Sequence, residues 1–337
     1  MATIADVARA AGVSTSTVSY VLSGRRPISA ATRVRVEASI AQLGYRPHAG
    51  ARALARQHTN VLALVVPLRE AIYVPVIMQF VIAVATAARS YDHDVLLLTN
   101  DEGTAGLHRV AGGAMVDALI VMDVEAHDDR VPVLRELRQP AVLIGLPDRP
   151  SGISCVDLDF AAAGHLAVQH LAELGHRRVA LVGPPPAVYE RGTSYATRFR
   201  AGFNEAVAEL GLAAVGHACE PTHEGAAAYL ARVEAELPGV TGLVVHNESV
   251  LGPVLSLLRV AGRRVPEDVS VVAVCPRELA LGLPVRMTSI DVPAEELGAL
   301  AVEMVVDLLR GRRGVQTRLL APTLTERDSC ADVPHPA

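Results

Sequence analysis

The stretch from Thr3 to Ser23 constrains the fold most, because it spells two short helices joined by a tight glycine turn. Its first apolar residues fall at Ile4, Val7, Ala8 and Ala11, the i, i+3, i+4, i+7 stripe of an amphipathic helix. Thr3 with Asp6 makes a capping-box pattern, and Gly12 stops the helix. Ser14 is placed to cap the second helix, whose inner face reads Val18, Val21 and Leu22. That leaves Thr15, Ser16 and Tyr20 pointing away from the small core, free to touch bases. A third helix follows, with Val36, Ile40 and Leu43 at helical spacing and Gly44 as its C-cap. Such a helix pair is the layout that puts a second helix into the DNA major groove.

Charge agrees. Residues 1–58 hold eight arginines (9, 25, 26, 33, 35, 46, 52 and 56) against Asp6 and Glu37, a charge of +6, which leaves −11 for the rest of a chain whose net charge is −5. A cationic head attracts the phosphate backbone, and an acidic body confines the contact to that head.

The pattern resembles the LacI/GalR family of transcriptional regulators from about Thr3 to about Arg327. Its most specific phrases are Asp6-Val-Ala-Arg-Ala-Ala-Gly-Val-Ser, Thr17-Val-Ser and Leu43-Gly-Tyr-Arg-Pro. The resemblance implies that Thr15, Ser16 and Tyr20 read bases, while Thr3, Ser14, Thr17, Ser19 and Arg52 contact the DNA backbone. Tyr20 departs from the arginine common at its position, and a tyrosine offers one hydroxyl and a ring face instead of a bidentate fork for guanine. Residues 47–58 form an alanine-rich basic linker, shorter than an isolated stable helix and weakened by Gly50. In the family the matching segment folds on the operator, and its leucine, here Leu54, wedges into the minor groove.

Beyond residue 58, continuously apolar runs alternate with helical patterns, the mark of strands buried on both faces of a parallel sheet. Strands are expected at 61–66, 95–99, 118–122, 141–146, 179–182, 242–246 and 269–275. Helices are expected at 76–91, 164–174, 197–210, 225–236, 249–261 and 295–310. The expected fold class is α/β: two doubly wound parallel-sheet lobes, similar to periplasmic binding proteins, behind an N-terminal all-α helix-turn-helix domain. Residues 1–46 are then the DNA-binding head, 47–58 the hinge and 59–330 the effector-binding and dimerisation body, with a disordered tail at 331–337. Lobe 1 spans about 59–160 and 292–321, and lobe 2 about 161–290 and 322–330. The family implies crossings near 159–162, 290–293 and 321–323.

Composition excludes several chemistries. The chain has no lysine, so a Walker lysine, a Schiff-base lysine and a kinase-type lysine are all ruled out. Cys155, Cys219, Cys275 and Cys330 show no CxxC spacing and read as free thiols in a reducing cytoplasm. The histidines are scattered, with no metal-ligand spacing, and neither a metal nor a cofactor is expected. The apolar run 71–88 approaches membrane-spanning length but is interrupted by Pro75, Gln79 and Thr86, so it reads as a buried helix partly covered by a second subunit. Gly192-Thr-Ser194-Tyr-Ala nearly spells a nucleophile elbow, yet it ends in Ala196 and no buried strand immediately precedes it. Prolines after Gly183 remove the backbone donors a phosphate cradle needs.

The expected function is a cytoplasmic, nucleoid-associated repressor, with no membrane partner. It would bind a palindromic double-stranded DNA operator as a homodimer, or as a tetramer built as a dimer of dimers, under the control of a small molecule in the inter-lobe cleft. Two alternatives stay open: a small-molecule-binding protein with a vestigial head, and a serine hydrolase using Ser194. The ligand is the least legible part. Gly145 and Cys275 stand where the family commonly has aspartate, Phe160 where it has asparagine, and Phe199 where it has arginine. Effector candidates are Tyr73, Asp159, Phe160, Arg198, Arg200, Asn247, Glu248 and Cys275. Their weak sugar-binding chemistry points to a less polar ligand, an altered pose or a lost response.

Overall fold

The computed structural model describes residues 2–23, 26–45, 58–69, 72–113, 115–312 and 314–333. In the head, α1 (Ile4–Ala11), α2 (Thr15–Ser23) and α3 (Ala30–Leu43) surround a small core of Val7, Ala8, Ala11, Val18, Val21, Val36 and Tyr45. The capping box is present in full, since the Asp6 N–H donates to the Thr3 hydroxyl and the Thr3 N–H to the Asp6 carboxylate. Gly12 and Gly44 end α1 and α3 in the left-handed region that favours glycine, at φ 61° and 58°. Leu43 points outward, 37% exposed, and Tyr45 closes the core in its place.

The body holds two six-stranded sheets. The first contains β1 (Val61–Val65), β2 (Asp94–Leu98), β3 (Ala118–Val121), β4 (Ala141–Ile144) and β5 (Ser154–Leu158), with β11 (Thr317–Leu320) on its edge. Its order is β11-β5-β4-β3-β1-β2, and every pairing is parallel. The second contains β6 (Arg178–Gly183), β7 (Ala213–Ala218), β8 (Gly242–Val245), β9 (Ser270–Val274), β10 (Thr288–Ile290) and β12 (Leu324–Thr325). It repeats the pattern as β12-β10-β9-β8-β6-β7, with only the β10–β12 pairing antiparallel. β1, β3, β4 and β9 are short apolar runs buried nearly throughout, as strands covered by helices on both faces must be.

The helices of the body are α4 (Val74–Arg89), α5 (Gly103–Gly112), α6 (Arg130–Glu136), α7 (Phe160–Glu173), α8 (Pro186–Glu190), α9 (Ser194–Glu209), α10 (His223–Glu236), α11 (Leu251–Val260), α12 (Arg277–Gly282) and α13 (Ala294–Leu309). The chain passes from the first sheet to the second after β5, returns after β10 and crosses again between β11 and β12. Among the described residues no helix is long and apolar enough to cross a membrane, and the run from Val74 is α4, packed on α13.

Candidate functional site

Two sites stand out, one on the head and one between the lobes. On the head, the Ser14 hydroxyl accepts the Thr17 N–H at 3.1 Å and shares a hydrogen bond with the Thr17 hydroxyl at 2.9 Å, which fixes the start of α2. Val18 and Val21 turn inward, while Thr15 and Ser16 are exposed and Tyr20 is half-buried. The Arg26 guanidinium lies over the Tyr20 ring, 5.3 Å from its centroid. Arg9, Arg26, Arg33 and Arg35 are all exposed, so the head's positive charge is displayed to solvent. The Thr3 hydroxyl is engaged by its own cap, where it also donates to Asp6 at 2.7 Å. Arg52 and Leu54, and the rest of the hinge up to residue 57, lie outside the described residues.

Between the lobes, the C-terminal ends of β3, β4 and β8 open onto a cavity of about 140 Å3. This is where ligands sit in open α/β sheets. Tyr73, Phe80, Met122, Asp123 and Ile144 line it from one lobe, and Phe160, Arg191, Tyr195, His246, Asn247 and Glu248 from the other. Loops from the two lobes meet beside it. The Ala126 N–H donates to the Gly192 carbonyl at 2.8 Å, the Ser194 N–H to the Val124 carbonyl at 2.9 Å, and the Ser194 hydroxyl to the Leu146 carbonyl. Across the opposite side, the Gln79 amide donates to Glu278 at 3.2 Å.

Burial sets the electrostatics of the wall. His246 is 4% exposed, its Nδ1 has no hydrogen-bond partner, and burial pushes its imidazole down to about 3, so the ring is neutral. The same effect pushes the Glu248 carboxyl up to about 7. Asp157 is buried and donated to by Arg198 at 2.7 Å; burial holds its carboxyl above the usual range although Arg198 pulls the other way. Asp123 is paired with Arg69, which also grips Asp101 through two nitrogens at 2.8 and 3.0 Å.

Comparison with known proteins gives this arrangement its context. Residues 3–48 match the profile described as bacterial regulatory proteins, lacI family, and residues 168–330 match that of a periplasmic binding protein-like domain. The transcriptional regulator CelR of Thermobifida fusca is 30% identical over 331 residues, covering 95% of this chain and 96% of that one. The chain belongs to the LacI family. The repressor PurR of Erwinia tasmaniensis is 31% identical over 99% of this chain and 98% of its own. In fold, the lac repressor dimer bound to operator and the anti-inducer ONPF matches with a TM-score of 0.81 at 24% identity, covering 98% of this chain and 99% of that one. This LacI-family chain is a DNA-binding regulator of transcription and not an enzyme. Accordingly, Ser194 is 2% exposed at the first turn of α9, with its hydroxyl committed to a carbonyl.

Of the eight effector candidates, Tyr73, Phe160, Asn247 and Glu248 line the cavity of this LacI-family body. The other four lie off the wall. Asp159 caps α7 by accepting the Ala162 N–H at 3.2 Å. Arg198 braces the end of β5, reaching Asp157 and the Leu158 carbonyl. Arg200 stacks on Tyr189 at 4.5 Å, and Cys275 is buried in the second lobe's core. Arg191, Tyr195 and His246 are wall residues that sequence reading missed. A histidine directly after the apolar β8 run was the one signal available for His246.

Proposed function

We propose that this LacI-family regulator is a repressor that binds a palindromic operator as a homodimer and changes operator affinity when a small molecule occupies the inter-lobe cavity. Thr15, Ser16 and Tyr20 read base edges, while Ser14, Thr17, Ser19, Thr3 and Arg52 hold the backbone and Leu54 enters the minor groove. The observation that carries this reading is the capped second helix of the head, which buries Val18 and Val21 and turns Thr15 and Ser16 to solvent among exposed arginines. Dimerisation is supported by Val74, Met78 and Ile82, four residues apart on α4 and 48%, 41% and 62% exposed. A stripe of that kind on a body helix suits a second copy of the chain. The protein works in the cytoplasm, at the nucleoid.

Leu54→Ala tests the reading. Fluorescence anisotropy with a selected operator duplex should show weak, salt-sensitive binding that persists while specific affinity drops by at least about tenfold, the scale of one good contact. Unchanged operator affinity would refute the wedge role.

A further inference from the structure

The space between the lobes, about 140 Å3, is close to what accommodates a single benzene-sized ring in a protein interior. Its wall is aromatic on one side. Phe160 lies 5.5 Å from Tyr195 and 5.8 Å from His246, ring to ring, and Tyr195 stands edge-on to His246 at 5.5 Å.

Several polar groups that would hold sugar hydroxyls are absent or engaged elsewhere. A Cβ on Gly145 would lie 2.6 Å from the Val124 Cβ, so no aspartate fits there while Val124 keeps its place. Phe199 packs on His246 at 4.2 Å, Asp157 is held by Arg198, and Asp123 by Arg69. The Asn247 amide donates to the carbonyls of Gly183 and Cys219.

Polar groups on the wall remain available, Arg191, His246 and Glu248 among them. The buried Nε of Arg191 and Nδ1 of His246 have no partner, and among the described residues no carboxylate pairs with Arg191. Glu248 accepts only from its own backbone. A guanidinium presents a fork matched to a carboxylate. Glu248, pushed up to about 7 by burial, carries a proton for much of the time near neutrality and in that form donates to an anion instead of repelling it.

We propose that the cavity binds a single-ring aromatic carboxylate, its ring against Phe160, Tyr195 and His246 and its carboxylate on Arg191. This rests on the regulator reading above, and it adds the class of ligand. A ring bearing an amine meets Arg191 with like charge, and the faces of Phe160, Tyr195 and His246 suit a flat ring better than a sugar.

Isothermal titration of the full-length protein with benzoate, benzyl alcohol, benzylamine and glucose tests the proposal. Benzoate should bind at least about tenfold tighter than benzyl alcohol, a difference of one charge-assisted contact. Arg191→Gln should reduce that preference to under about threefold while leaving benzyl alcohol binding in place, and Arg191→Lys should fall between the two. Tighter binding of benzylamine or glucose, equal binding of benzoate and benzyl alcohol, or no benzoate binding up to about 10 mM overturns the ligand class. Operator binding measured on the same preparation separates the two failures. Intact sequence preference with no benzoate binding overturns the ligand class alone, whereas loss of sequence preference in the wild type overturns the regulator reading.

Discussion

His246 and Glu248 stand two residues apart on the cavity wall and respond to pH in opposite senses. Burial lowers the imidazole from 6.5 to about 3 and raises the carboxyl from 4.5 to about 7. As pH falls from 6.5 towards 3, the unfolded chain binds a proton at His246 that the native state does not, so stability is lost on the acid side. As pH rises from 4.5 towards 7, the native state still binds a proton at Glu248 that the unfolded chain has released, so stability is lost in that direction. The two terms oppose each other where their windows overlap, and single variants separate them. Relative to wild type, Glu248→Gln should melt at progressively higher temperature as pH rises from 4.5 to 7, and His246→Phe as pH falls from 6.5 to 3. Circular-dichroism melts read both, and a difference from wild type that does not change with pH contradicts the assignment of that group.

α7 and α9 cross at two glycines. A Cβ on Gly202 would lie 1.9 Å from the Ala161 carbonyl oxygen, and one on Gly164 would lie 2.2 Å from the Phe199 carbonyl oxygen. Backbone, unlike a flexible side chain, cannot step aside. Gly202→Ala should therefore destabilise the body by about 1–3 kcal/mol in urea unfolding, and an unchanged midpoint contradicts the close crossing. These elements also show where sequence is legible. β1, β3, β4 and β9 read clearly because an unbroken apolar run has no other stable place than between two helical layers. β5 was missed because Asp157 breaks its run, and that buried carboxylate is held by Arg198, distant in sequence, and by the Leu158 N–H, which both donate to it. β7 was missed because Gly216 and His217 sit in a half-exposed edge strand. α5, with three glycines, has little local preference of its own and forms by burying Leu107 and Val110. The cavity divides the same way. Phe160, Asn247 and Glu248 announce themselves at element ends, whereas Arg191 and Tyr195 flank the 192–194 segment that bonds to the other lobe, a tertiary contact with no local sequence signal.

Over the whole molecule, charge and connectivity separate reading from sensing. The head carries the positive charge of residues 1–58, while the remainder is net negative, so nucleic acid is drawn to one end. The body's lobes are joined by three strand-to-strand crossings and by loop hydrogen bonds beside the cavity, so under the proposed function a ligand touching both walls would shift the balance between lobe positions. Sequence reading by the head of this chain is tested by incubating the full-length protein with sheared genomic DNA of its source and sequencing the bound fragments. A variant with Thr15, Ser16 and Tyr20 all changed to alanine serves as the control. The wild type should enrich a single palindrome that the control fails to enrich; fragments no more enriched by the wild type than by the control would contradict sequence reading by the head.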